Sequence, residues 1–225
     1  MRKENETTTA NEKINDFVQK NRTAVLALLI SAGVIFAGFI VSYSVFGALR
    51  GRANAAIEEL GSRYEAIRDE ITADTPDDKI AGLTGELEAF AKTARGYAGG
   101  RAYGILADIY MRQQRFEDTQ AAWANAAQKA KKTYLEPVSW FNAAGSAEGL
   151  GDYEKAVEYY TKSLGAQANF PLAAQAQFSI GRLKEEMGDT DGAIEAYRAL
   201  ISGWPNDAVW PNMARSRIVA LETLK

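Results

Sequence analysis

From Thr23 to Leu49 no side chain carries a charge, and Leu, Ile, Val and Phe dominate the stretch between Arg22 and Arg50. A helix advances about 1.5 Å per residue and about 20 apolar residues cross the hydrocarbon core of a bilayer, so the run predicts a transmembrane helix over residues 23–49. A signal peptide has a shorter apolar region. The nearest small-residue cleavage pattern, Ala53-Asn54-Ala55, lies beyond two arginines. Residues 1–22 are polar and offer too little apolar surface to offset their ordering entropy, so a disordered tail is expected there. Lys13, Lys20 and Arg22 precede the span while Arg50, Arg52 and Arg63 follow it, a near balance that leaves orientation unset by charge. Within the span Gly33 and Ala37, and Gly38 and Ser42, stand four apart, a spacing that lets two such helices approach closely and allows self-association.

Beyond the span the period changes to that of amphipathic helices. Ile57, Leu60, Tyr64, Ile67 and Ile71 fall on one helical stripe, Asp74-Thr75-Pro76 ends it, and Ile80, Leu83, Leu87, Phe90, Ala94 and Tyr97 form a second. Residues 50–98 therefore read as a helical hairpin whose two stripes close on each other. Gly96, Gly99, Gly100 and Gly104 follow with no Lys-Ser/Thr after them and no strand pattern before them. They mark a helix end and a close helix contact rather than a phosphate loop.

Residues 149–164, GLGDYEKAVEYYTKSL, lie without gaps over residues 186–201, EMGDTDGAIEAYRALI. Gly151 falls on Gly188, Asp152 on Asp189, Ala156 on Ala193 and Tyr160 on Tyr197. A weaker upstream copy aligns Phe116 with Tyr153, Thr119 with Ala156 and Trp123 with Tyr160. A period of this size signals an array of helical hairpins. These residues resemble the tetratricopeptide repeat, with an aromatic near the start of the first helix, a small residue four further on (Ala107, Ala144, Gly181), Gly-Asp at the turn, Ala then an aromatic in the second helix, and a closing proline, Pro205. The fold class expected is all-α: an N-terminal transmembrane helix followed by a tetratricopeptide-like α-solenoid, with three repeats over residues 99–207 and a capping helix over 208–225. Thr119, Ala156 and Ala193 should pack against Ala107, Ala144 and Gly181, with Trp123, Tyr160 and Tyr197 filling the space where hairpins meet. The resemblance further implies a concave groove lined by Arg101, Asp108, Met111, Arg112, Phe141, Glu148, Phe178, Arg182 and Glu185, which would take a protein or peptide. Gly104, Asp108 and Gly145 stand where a carboxylate-clamp repeat has Lys and Asn, so that mode of recognition is not expected.

Composition narrows the chemistry. The 225-residue chain has no histidine and no cysteine, which removes zinc sites, thiol or imidazole catalysis, haem ligation and disulfides. A net charge of −3 provides no electrostatic footprint for nucleic acid. Acidic pairs such as Glu154 and Glu158 read as solvated helix surface, so neither a metal, a cofactor nor an enzymatic activity is expected. The order of a single span, a heptad hairpin and a short repeat array resembles the ancillary Sec translocon subunits of bacteria. That resemblance implies a single-pass inner-membrane protein with its helical domain in the periplasm, acting as a scaffold or chaperone-like adaptor at the export machinery. A cytoplasm-facing docking receptor and a structural part of an envelope, secretion or flagellar assembly are the alternative readings.

Overall fold

A computed structural model describes residues 10–223 and divides them into two compact units, one up to Arg52 and the other from Ala53 onward. In the first unit, α1 (Ala10–Lys20) and the start of α2 (Arg22–Ile67) are helical. Residues 10–20, expected to be part of a disordered tail, thus form a helix, because Ile14, Phe17 and Val18 recur at helical spacing and Lys20 in the last turn complements the helix dipole. Residues 1–9 of the expected tail, and the last two residues of the expected cap, lie outside the described residues. Along α2 the Leu, Ile and Phe side chains of the uncharged stretch, Leu28, Ile35, Phe36 and Phe39 among them, are exposed.

The second unit is helical throughout, with no strand among the described residues. It comprises the end of α2, a 3₁₀ turn at Arg68–Glu70, α3 (Asp77–Thr93), α4 (Gly96–Arg112), α5 (Phe116–Lys129), α6 (Leu135–Gly149), α7 (Tyr153–Ala166), α8 (Ala173–Glu186), α9 (Thr190–Gly203) and α10 (Trp210–Thr223). Pairs α4/α5, α6/α7 and α8/α9 are the three repeats, and successive second helices begin at Phe116, Tyr153 and Thr190, two intervals of 37 residues. The fold is the expected all-α, tetratricopeptide-like solenoid of stacked hairpins. α10 covers its last face through Pro211, Ala214 and Leu221, which are buried.

The heptad hairpin departs from its expected form. α2 ends at Ile67, well before Asp74, because Arg68, Asp69 and Glu70 turn in a 3₁₀ conformation and Ile71 folds into the core outside any helix. α3 stops at Thr93, and Tyr97 belongs to α4, whose first residue Gly96 has a left-handed φ of 63°. The hairpin stripes also do not close on each other alone. One core holds Ile57, Leu60 and Tyr64 of α2, Leu83 and Leu87 of α3, and Ile105, Leu106 and Ile109 of α4. Polar contacts tie the same three helices: Arg63 donates two hydrogen bonds to Glu86 at 2.6 and 2.8 Å, and Tyr97 donates to Glu58 at 2.7 Å. The hairpin and the first repeat are therefore one packing unit, without a boundary at residue 98.

Each repeat turns at the same point in the same way. The N–H groups of Arg115, Asp152 and Asp189 reach the carbonyls of Tyr110, Ala147 and Lys184 at 2.8, 3.0 and 2.8 Å. The preceding residues Gln114, Gly151 and Gly188 bond to Met111, Glu148 and Glu185 at 2.9 to 3.0 Å. This is the Schellman ending, which needs a residue with positive φ. Gly151 and Gly188 supply it at 76°, and Gln114 holds the same place at 58°. Asp152 and Asp189 then cap the second helices, accepting from the N–H groups of Lys155 and Gly192 at 3.1 and 2.9 Å, whereas Arg115 caps nothing.

Candidate protein-binding groove

Inside the hairpins the small and aromatic repeat residues lie at the helix contacts. Ala107, Thr119, Ala144, Ala156, Ala193 and Tyr197 are fully buried. The partner of the small residue differs in the third repeat. A Cβ placed on Gly181 would stand 2.5 Å from the ring of Tyr197, so this glycine makes room for an aromatic ring and not for the methyl of Ala193. The same device recurs, less tightly, where Trp123 lies over Gly104, a Cβ there standing 3.3 Å from the ring, whereas a Cβ at Gly145 would fit 4.0 Å from the Tyr160 hydroxyl. Glycine is required at Gly181 because the close approach leaves no volume for any side chain. Pro205 is exposed in the turn after α9; it ends the hairpin and does not pack into it.

The nine residues expected along the groove divide into two groups. Three of the four on α4 are engaged by the end of α2 and the 3₁₀ turn that follows it. Arg112 donates to the Arg68 carbonyl at 3.1 Å, Tyr64 donates to Asp108, and Arg101 lies against Gly61. Their neighbour Met111 is exposed. Burial, with the Asp108 carboxylate beside it, pushes the Tyr64 phenol above its ordinary range.

The other group meets between α6 and α8. A cavity of about 380 Å³ opens there, lined by Gly145, Glu148 and Tyr160 on one side and Gln175, Phe178, Ser179 and Arg182 on the other, with Trp210 closing one end. Across it the Arg182 guanidinium meets the Glu148 carboxylate at 2.6 Å. Burial and the nearby Glu148 charge push the Tyr160 phenol upward. Phe178, expected as an exposed contact, is only 8% exposed, with its ring 5.3 Å from both Tyr197 and Trp210, and so forms the cavity floor. Phe141 is likewise drawn inward, edge-on to Tyr160 and Phe170 at 5.2 and 6.3 Å. Large rings next to the glycine contacts gain more from burial than from exposure to water.

Glu185 occupies the next station. It accepts from the Tyr197 hydroxyl at 2.5 Å and from Arg217 of α10. Burial would raise this carboxyl, but the hydrogen bonds from Arg217 and Tyr197 and the charges of Arg217 and Arg182 outweigh it and hold it below the usual carboxylate range. Twice, then, a carboxylate of one first helix is neutralised by a guanidinium from the next: Glu148 by Arg182, and Glu185 by Arg217. Sequence reasoning missed Gln175, Ser179 and Trp210. The first two stand at one-turn spacing with Phe178 and Arg182, so the stripe was readable, whereas Trp210 reaches the site through the tertiary placement of α10.

A tetratricopeptide repeat family model matches residues 141–208, which span the second and third hairpins. A TPR repeat-containing protein of Treponema pallidum is 28% identical over 93% of this chain and 93% of its own length. Response regulator aspartate phosphatase J of Bacillus subtilis is 29% identical over 42% of this chain and 26% of its own. Among solved structures, TPR-like repeats of kinesin-light-chain type from Podospora anserina align at 15% identity with a TM-score of 0.49, covering 75% of this chain and 84% of that one. Repeats of this class are scaffolds for protein–protein interaction, and the α6–α9 segment that the family model matches contains the walls of the cavity.

Proposed function

We propose that this protein is a membrane-tethered, non-catalytic scaffold that holds an extended segment of a protein partner in the cleft between α6 and α8. The cleft carries the proposal: it is an open hollow of about 380 Å³ with an apolar floor at Phe178 and Trp210 and polar walls at Gln175, Ser179 and the Glu148–Arg182 pair. Aromatic anchors and a guanidinium beside a solvent-open hollow suit a peptide in extended conformation.

The tether rests on a different observation. The uncharged stretch of α2 has its Ile, Leu and Phe side chains exposed along its whole length, as at Ile35 (72%) and Phe36 (66%), and a bilayer is the medium that covers such a surface at no cost to the backbone. The domain faces the extracytoplasmic side in this reading, and the partners are exported or envelope proteins gathered near the export machinery, as the likeness to ancillary translocon subunits implies.

Photocrosslinkers at Gln175 and Arg182 in living cells test the groove, with Glu195 on the exposed face of α9 as the control. Adducts at the first two positions and none at the third support it, and equal labelling of all three refutes it. Protease added to intact spheroplasts should digest the repeats. Digestion only after lysis would instead establish the cytoplasm-facing receptor.

A further inference from the structure

Ile14, Phe17 and Val18 of α1 stand at i, i+3 and i+4, and Ile14 and Phe17 are 61% and 63% exposed. The opposite side of the helix carries Glu12, Asn15, Asp16 and Gln19, with Lys20 at one edge of the apolar arc. An amphipathic helix with its apolar stripe in water is unfavourable, and the stripe needs a cover. Asn21 alone separates α1 from α2, whose uncharged stretch begins two residues later at Thr23. Asn15, Val18 and Gln19 of α1 and Arg22, Val25, Leu26 and Leu29 of α2 line a hollow of about 630 Å³ along the junction. The Asn21 side chain and backbone N–H both donate to the Phe17 carbonyl, at 2.9 and 3.0 Å, and so tie the end of α1 to the start of α2.

We infer that α1 is an interfacial helix that lies in the headgroup region of the bilayer at the N-terminal end of the span, with Ile14, Phe17 and Val18 in the acyl boundary. This rests on the membrane reading of α2 above. If that stretch is in lipid, the C-terminal end of α1 lies within one turn of the headgroups, and its apolar arc meets an apolar medium in immediate reach. Lys20 stands beside the arc, where an interfacial helix extends a basic side chain toward phosphates. Residues 10–22 contain three basic and two acidic side chains, so apolar burial rather than charge provides the attachment, and the depth of α1 should change little with salt.

The native absence of cysteine makes the test direct. Spin labels are placed singly in the full chain through Ile14→Cys, Phe17→Cys and Val18→Cys, on the opposite side through Asp16→Cys and Gln19→Cys, and in the span through Phe36→Cys. Each is read in phosphatidylcholine nanodiscs by accessibility to oxygen against a water-soluble nickel chelate. Oxygen-dominated relaxation at positions 14, 17 and 18 with nickel-dominated relaxation at 16 and 19 is expected, at both 50 mM and 500 mM salt. Nickel access at all five while the label at 36 stays in lipid overturns the inference and leaves the span standing. Protection from both reagents at 14, 17 and 18 means a protein surface covers α1, and also overturns it. A label at 36 open to nickel means that the membrane reading itself has failed.

Discussion

Arg182 of α8 reaches across the cleft to within 2.6 Å of Glu148 on α6, and both side chains are about a third exposed. An ion pair so open to water contributes little, on the order of 0 to 1 kcal/mol. A double-mutant cycle of Arg182→Met and Glu148→Gln, read by urea unfolding, should give a coupling energy below about 1 kcal/mol. A larger value would mean that the pair holds the hairpins together. The cleft residues are then available to a partner without loss of the fold.

Two glycines on neighbouring first helices should respond oppositely to the same change. Gly181→Ala drives a methyl into the buried Tyr197 ring, which the Glu185 hydrogen bond keeps in place. Overpacking costs about 1 to 3 kcal/mol and helix propensity returns up to about 1, so a net loss is expected. Gly145→Ala meets nothing nearer than 4.0 Å and should be neutral or stabilising by up to about 1 kcal/mol. Thermal unfolding of both variants decides it, and equal melting temperatures would contradict the packing described here.

Gln114 holds a left-handed backbone where the two later repeats have glycine. That conformation costs a residue with a Cβ about 1 to 2 kcal/mol, part of which glycine returns as unfolded-state entropy. Gln114→Gly should therefore stabilise the chain by about 0.5 to 1 kcal/mol in urea unfolding. The reverse change, Gly151→Gln, should destabilise it by a similar amount.

Stability should fall in acid through Glu185. Its folded-state carboxyl titrates below the unfolded value because Arg217 and Tyr197 hold the charged form against burial. The associated stability is complete above about pH 5, and it fades as the pH drops from the unfolded value near 4.3 through the lower folded one. The urea midpoint gap between the native chain and Glu185→Gln should be constant from pH 7 to about 5 and shrink below about 4. A gap that widened in acid would reverse the sign argued here.

The alkaline limb has a marker in Tyr110, whose phenol is pushed up to about 12 by burial and by Glu88, to which it donates a hydrogen bond at 3.1 Å. A raised folded value means that its stabilisation is intact below the ordinary phenol range near pH 10 and is lost as the pH climbs toward 12. Phenolate absorbance should show Tyr110→Phe removing one late-titrating group.

The alternation of turns and helices was readable because it depends on local rules. A Gly-Asp pair ends one helix and caps the next, and its recurrence at 37 residues places the hairpins without knowledge of their neighbours. The burial of Ala156 and Ala193 follows from the same periodicity. α1 carried its signal in Ile14, Phe17 and Val18, but the polar average of the tail hid it.

Sequence alone determined that this chain is helical, that its hairpins repeat, and that its Ala, Gly and aromatic positions form the seams, since each of these is set within a few residues along the chain. Only the tertiary structure decided which of the expected groove residues line the cleft. The end of α2 claims Asp108 and the 3₁₀ turn after it claims Arg112, the cavity floor takes Phe178, and α10 brings Trp210 and Arg217 to helices distant in sequence. A periodic stripe specifies a face of a helix, whereas what covers that face depends on volumes and charges contributed by other elements.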